Sequence, residues 1–365
     1  LDTLPTGGAV VLRPFTNTLA ISLESGSGLL LTQLDIDQVS SAVLTLGAGS
    51  HTGDINLNAD IAFGTASSRM ELLTSGAGRV VGTGALDFVP GGVLVVSAGS
   101  GIDLGGDNNP TIVDLSNSVA NDISYNSLSG IDVAGINNSA GNVTLTVDGA
   151  ITQSGPIVAT GILDTTSAGG TGLNGGNTVG GFSASNSTTG DISFSATGPL
   201  DVAAGGITNN VGDIILNAGG AITQSGVIVT TGTLDTTSVG GTTLTAGNTV
   251  GSFSATNTSG SDISLGVAGG GDLNVNTISN TGGGVNLLGD NMGFTGTIDS
   301  GVGVVSLSPI NPATLIEVGS GAANGATTLG ITDTMLGQIT TTGGVTIGSP
   351  THNAGITLVG DTDLT

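Results

Sequence analysis

Residues able to do chemistry are few in this chain, and most are aspartates standing at one recurring place. An Asp opens a short apolar phrase that reads GDINL at 53–57, GDISF at 190–194, GDIIL at 212–216 and SDISL at 261–265. Asp191 and Asp213 open consecutive phrases of this kind, so their carboxylates stack if that spacing is one turn of a coil. Like charges held side by side repel unless a cation sits between them, and oxygen-rich loops suit Ca²⁺. Asp191 and Asp213 are therefore the candidate Ca²⁺ ligands. The plainer reading is that Asp is favoured at turns for the backbone hydrogen bonds it makes there. No other cofactor is expected.

Acid–base catalysis has less to work with. Against 27 Asp and Glu stand three Arg (Arg13, Arg69 and Arg79), two His, no Lys and no Cys. Lyase chemistry on an acidic polysaccharide wants a cationic side chain beside the base, and glycoside hydrolysis wants a close pair of carboxylates. His51 and His352 recur at an offset of 301 inside similar phrases, so they read as one corner position seen twice. A GxGxxG match at Gly170, Gly172 and Gly175 loses its later glycines in the copy GGTTLTAG at 240–247, and no helix pattern follows it. Thr144 and Thr146 form the kind of pair found on ice-binding faces, but their counterparts are Ile215 and Asn217. Sequons at Asn137, Asn142, Asn186 and Asn257 are expected by chance in so Asn-, Ser- and Thr-rich a chain. A non-enzymatic protein is expected.

Composition narrows the partners. A net charge of −24 over 365 residues repels phosphate backbones and anionic membrane surfaces, which argues against nucleic acid. No run of 18 apolar residues is present, so no membrane insertion is expected in this segment. The start, LDTLPTGG, lacks the basic and apolar regions of a signal peptide, as in a mature chain or a fragment. Without Cys neither disulfides nor thiolate metal sites form. With 67 Gly, 7 Phe and no Trp, a core has to be built from Val, Ile, Leu, Ala and Thr.

The elements that position these residues are legible as repeats. The phrase GAITQSGPIVATGILDTTSAGG returns at an offset of 71 as GAITQSGVIVTTGTLDTTSVGG, and an older echo at an offset of 69 relates VDLSNSVANDISY (113–125) to FSASNSTTGDISF (182–194). Within each unit apolar residues alternate, as in Val143-x-Leu145-x-Val147, and Gly, Asn and Asp interrupt them. Period two means strands, and the fixed pitch means stacked turns rather than a sandwich. The expected fold is all-β, a right-handed parallel β-helix (β-solenoid) of about 22–25 residues per turn with little or no helix. Three turns would fill each 71-residue unit, and about 15 turns spaced about 4.8 Å apart would make a rod of about 70 Å. Asn and Gly recur at the corners, where positive φ is needed. The chain reads as one continuous solenoid segment, 1–365, with sub-repeats near 136–206 and 207–277. A longer echo relates LTLGAGSHTGDINLNAD (44–60) to VTIGSPTHNAGITLVGD (345–361) at an offset of 301. It suggests one 300-residue super-repeat plus overlap, without the polar caps of a finished solenoid.

These phrases, together with NxVGxFSAxNxxGDISL and the block VVLRP to LLLTQLDIDQV, resemble the β-helical repeats of very large bacterial exoproteins, the filamentous-haemagglutinin-like and autotransporter-type adhesins. The resemblance covers almost the whole chain. It implies an extracellular structural rod, stalk or fibre segment of a surface adhesin, secreted or displayed on a bacterial cell surface. Partners would be neighbouring repeats, other copies of the chain, surface glycans, or host and abiotic surfaces. Binding specificity would sit where the pattern breaks, as at 60–92, which holds Arg69 and Arg79. The alternative is a self-assembling filament or sheath without a receptor; a β-helical polysaccharide-active enzyme is a third reading.

Overall fold

Each alternating phrase folds as a strand. GDINL supplies Ile55–Leu57, GNVTL supplies Val143–Val147, GDISF supplies Ile192–Ala196, GDIIL supplies Ile214–Ala218 and SDISL supplies Ile263–Val267. Their side chains alternate between buried and outward, so Val143, Leu145 and Val147 are sealed while Thr144 and Thr146 face out. β-branched and aliphatic residues at the inward positions suit a pleated, half-buried surface, and each sealed Ile or Leu stabilises the coil by roughly 2 kcal/mol.

The computed structural model describes residues 8–63, 68–119 and 121–361. The chain is a parallel β-solenoid of about 12 turns, 55% strand and 3% helix, with no closed barrel. It falls into two units, Leu1–Thr188 and Thr189–Thr365. The strands build parallel ladders, up to three segments to a turn: in the first unit Ile131, Ile136 and Val143 of one turn pair with Ile151, Ile157 and Leu163 of the next, and in the second Ile192, Leu200 and Ile207 pair with Ile214, Ile222 and Ile228. In the first unit one ladder carries Leu94, Val113 and Val133 in register, and another carries Ile123, Val143, Leu163 and Phe182. In the second unit one carries Ile192, Ile214, Leu234 and Phe253, and another carries Ile222, Thr242, Ile263 and Val285. Phe182 and Phe253 fill the core, both at 0% exposure.

Two expectations need correction. The pitch itself holds over much of the coil, where Ile55 pairs with Val80, Met70 with Leu94 and Ile192 with Ile214, and other turns wind slightly tighter. Val143 pairs with Leu163, and Leu163 with Phe182; along these rungs the hydrogen bond from Ile162 to Asn142 spans 20 residues and that from Ser183 to Asp164 spans 19. Turns are fewer than 15, because two stretches take long excursions: Val10 pairs with Leu44, and Val305 pairs with Val345. Finally, the 71-residue unit does not close on three turns. Ile192 and Ile263 are equivalent in sequence, yet they stand on different ladders of the second unit. Val113 and Phe182, equivalent at an offset of 69, likewise stand on different ladders of the first unit. The repeat therefore spans three turns and one strand segment more, so the same phrase lines a different ladder in each copy.

The two excursions are one module used twice. Ala9–Leu12 pairs Val43–Gly47, as Val305–Ser308 pairs Val345–Ile347. Ile21–Leu23 pairs both Leu29–Leu31 and Ile55–Leu57, as Leu315–Val318 pairs both Thr328–Ile331 and Ile356–Leu358. A five-residue helix follows the excursion strand in each, Gln33–Asp37 after Thr32 and Asp333–Gly337 after Thr332. Both threonines stand at the N-cap: the backbone N–H of Met335 donates to the Thr332 hydroxyl at 3.2 Å, and the N–H and hydroxyl of Thr32 donate to the Asp35 carboxylate at 2.9 and 2.8 Å. The two hydrogen bonds from Thr32 hold the Asp35 carboxyl below its ordinary range.

Candidate functional site

The aspartates that open each phrase are the natural place to look for chemistry, and the structure gives every one of them a backbone partner. Asp54 Oδ1 accepts the N–H of Arg79 at 2.9 Å, Asp122 that of Asn142 at 2.8 Å, and Asp262 that of Gly284 at 2.7 Å. The Ca²⁺ candidates do the same. Asp191 Oδ1 accepts the N–H of Asp213 at 2.9 Å, and Asp213 Oδ1 accepts the N–H of Thr233 at 2.7 Å. Asp191 and Asp213 are thus one turn apart, each tied to the turn that follows. An ionised acceptor on an edge N–H is among the stronger hydrogen bonds. Partial burial first, then the charge of Asp213, push the carboxyl of Asp235 above its ordinary value. Among the described residues no three His, Cys, Asp or Glu gather in one place.

A second polar system was not legible in advance. Nine asparagines, among them Asn117, Asn138, Asn248 and Asn257, are buried inside the coil at 2% exposure or less. They are not there for left-handed backbone, since Glu24 is the only non-glycine with positive φ among the described residues. Their amides satisfy corner backbone that the core would otherwise orphan. Asn117, Asn186 and Asn257 each accept, through Oδ1, the N–H of the glycine 16 residues earlier: Gly101 at 2.8 Å, Gly170 at 3.0 Å and Gly241 at 3.2 Å. Those glycines have φ of 114°, 92° and 91°, which a side chain would strain. Corner geometry thus belongs to Gly, and the Asn beside it closes the hydrogen bond.

The AITQSG phrase ends in such a clamp. The Gln153 amide meets Asn177, and its Oε1 accepts the N–H of Gly175 at 2.8 Å. Gln224 meets Asn248 in the same way and accepts from Ala246 at 3.2 Å. Asn177 and Asn248 then accept from Ile157 and Ile228 at 2.9 and 2.8 Å. Of the GxGxxG match, Gly172 and Gly175 lie in the strand Thr171–Asn186, Gly175 taking part in this clamp, while Gly170 stands just before the strand. Asn186 and Asn257 are sealed, and the Asn257 amide is spent on Ser259 and Ser261 carbonyls, so the folded coil offers no acceptor at those two sequons; Asn137 and Asn142 are exposed.

Both histidines carry ring nitrogens that are buried and have no hydrogen-bond partner. His51 is sealed at 1% exposure, and burial lowers its pKa, with Asp54 opposing. Of the arginines, Arg69 makes the one ion pair among the described residues, to Glu71 at 2.9 Å. Arg79 instead lines a half-open groove of about 600 Å³ with Ser100, Asp103, Asn121 and Asp122. Arg79 thus shares a concave surface with two aspartates and an asparagine, residue types able to donate to and accept from a neutral polyhydroxylated ligand. The pattern break expected to carry specificity, 60–92, contributes Arg79; residues 64–67 of it lie outside the described residues.

Compared with known proteins, the chain matches no protein-family model, no curated protein and no solved structure. No helix among the described residues is long and apolar enough to cross a membrane.

Proposed function

We propose that this chain is a non-enzymatic structural segment, a stalk, of a large bacterial surface adhesin, exported from the cell and carrying attachment outward. The observation that carries this reading is how the polar side chains are used: Asp54, Asp122, Asp191, Asp213 and Asp262 each hold the backbone of the next turn. Their placement serves stacking, one turn tied to another, rather than convergence on a reacting atom. The strand-dominated architecture and the β-helical repeat phrases support the same reading. Outward positions then remain free for recognition, and the groove at Arg79 is where contact with surface glycans would form.

The test is adhesion of the purified chain to host cells, immobilised glycans and abiotic surfaces. The stalk reading expects binding that Arg79→Ala reduces at least about tenfold, as for a charge-assisted contact of about 1.4 kcal/mol. Turnover of an acidic or neutral polysaccharide by the same preparation would sink it.

A further inference from the structure

Where the two copies of the 71-residue repeat are compared rung by rung, one inward side chain is lost. Leu200, in the strand Leu200–Asn209, is 1% exposed and pairs with Ile222; Gly271 stands at the equivalent place in the later copy. Three residues on, Ala203 at 3% exposure is answered by the exposed Asn274. The neighbouring rung breaks as well. Where Thr171–Asn186 is one strand, its copy is two, Thr242–Asn248 and Ser252–Asn257.

A half-open groove of about 260 Å³ opens at this place, with 248–251 on one side and residues of 267–274 on the other, inside the second unit. The Asn274 amide nitrogen bridges the two sides by donating to the Gly251 carbonyl at 3.1 Å, and Asp272 Oδ1 accepts from the Asn291 amide at 2.9 Å. Asn248 is committed to the clamp. Among the described residues Asp272 Oδ2, Asn274 Oδ1 and the Thr249 hydroxyl are left without a hydrogen bond, on three exposed residues that line the groove. Val250, Val267 and the bare Gly271 form the apolar part of the lining.

We propose that this groove binds a single neutral N-acetylated hexose, its acetamido methyl against Val250 and Val267 and its acetamido N–H donating to the Asp272 carboxylate. Size sets the first limit, since a volume of about 260 Å³ falls below the roughly 300–1,000 Å³ of drug-sized sites and suits one ring. Charge sets the second. Asp272 repels an acidic sugar, and the three arginines, at 13, 69 and 79, all lie in the first unit. Chemistry sets the third: a plain hexose offers hydroxyls to two valines that cannot answer them, whereas an acetamido group carries a methyl for the valines and a donor for the carboxylate. Ring hydroxyls are then met by Asn274 Oδ1 and Thr249. The site is separate from the groove at Arg79 and stands without the stalk reading.

The test is ligand-observed saturation-transfer NMR on the full chain, with N-acetylglucosamine, N-acetylgalactosamine and glucose as probes, followed by titration. One of the N-acetylated sugars should bind with a Kd of about 1 mM and receive saturation mostly at its acetamido methyl, and glucose should bind at least about tenfold more weakly. Two variants address the groove itself. Gly271→Leu restores the rung that Leu200 supplies in the earlier copy; its Cβ would meet the Ala268 carbonyl oxygen at 3.0 Å, so circular dichroism checks its fold. Asp272→Asn, at an exposed position, keeps the shape and removes the charge. Each should weaken binding at least about tenfold, while Arg79→Ala should leave it unchanged. Absence of saturation transfer to either N-acetylated sugar at about 10 mM overturns the proposal. Glucose binding as tightly as they do, or an affinity untouched by Asp272→Asn, overturns it equally.

Discussion

The central repeat and the end modules keep different things constant. Between the copies at 150–186 and 221–257, inward residues and polar clamps are retained together: Leu163 and Leu234, Phe182 and Phe253, Gln153–Asn177 and Gln224–Asn248. Between 9–57 and 305–358 the strand order and pairing are retained while what faces outward changes, with Val11 replaced by Ser306 and Leu34 by Thr334. In a turn covered on both sides every inward group is answered by a neighbour, so the clamp and the rung are fixed together. At an edge, pairing alone defines the module and the outward positions are free to differ.

The sharpest way to break this comparison is to truncate a rung in each region. Phe253→Ala, in a column covered on both sides, should cost about 4 kcal/mol, whereas Leu358→Ala, 66% exposed, should cost less than about 1 kcal/mol. Denaturant melts of the two variants decide it, and equal losses would mean that Leu358 is covered in solution. Next comes the clamp. Asn248→Ala orphans the N–H of Ile228 and the carbonyls of Leu244 and Gly266, for an expected loss of about 3 kcal/mol. Asn311→Ala at the exposed module corner should stay below about 1 kcal/mol by the same measurement.

A titration follows. The folded-state pKa of His51 lies below the ordinary imidazole value of 6.5, so the unfolded chain binds the proton more tightly. Stability is then fully present above about pH 6.5 and is lost as pH falls toward the folded value, by at most about 1.4 kcal/mol per pH unit. Melting temperature followed from pH 8 to 5 should show that slope, and His51→Gln should remove it. The smallest effect runs the other way. Thr165 and Thr236 occupy equivalent rungs, both 0% exposed, and neither hydroxyl finds a partner. Thr165→Val and Thr236→Val should each stabilise the coil by about 1 kcal/mol, additively, since a buried unpaired hydroxyl is exchanged for a methyl that suits a strand. A lower melting temperature for either would point to a buried water on that hydroxyl.

How much of this was legible follows from which residues carry it. Period-two phrases such as Ile214-x-Leu216 name their own strands, because burying one face of a strand demands that alternation. The extra segment was hidden for a related reason: the ladders bury the same residue types, so Ile192 and Ile263 look alike in the chain while standing on different ladders. Asn117 and Asn248 were read as turn formers because propensity places Asn at turns, and nothing in the letters says that an amide points inward to answer a buried N–H. The helices Gln33–Asp37 and Asp333–Gly337 are single turns held by a capping threonine, too short to show a helical period. As for the site, Asp191 and Asp213 were correctly placed one turn apart. Their hydrogen bonds to the N–H groups of Asp213 and Thr233 emerged only with the backbone in place.

The extra strand segment in the 71-residue repeat makes copy number a setting for presentation. Duplicating one unit inserts three turns and one segment, so the outward positions of that unit are carried from one ladder of the coil to the next. Gain or loss of a single copy would thus re-aim the presented surface without any change in the residues that present it.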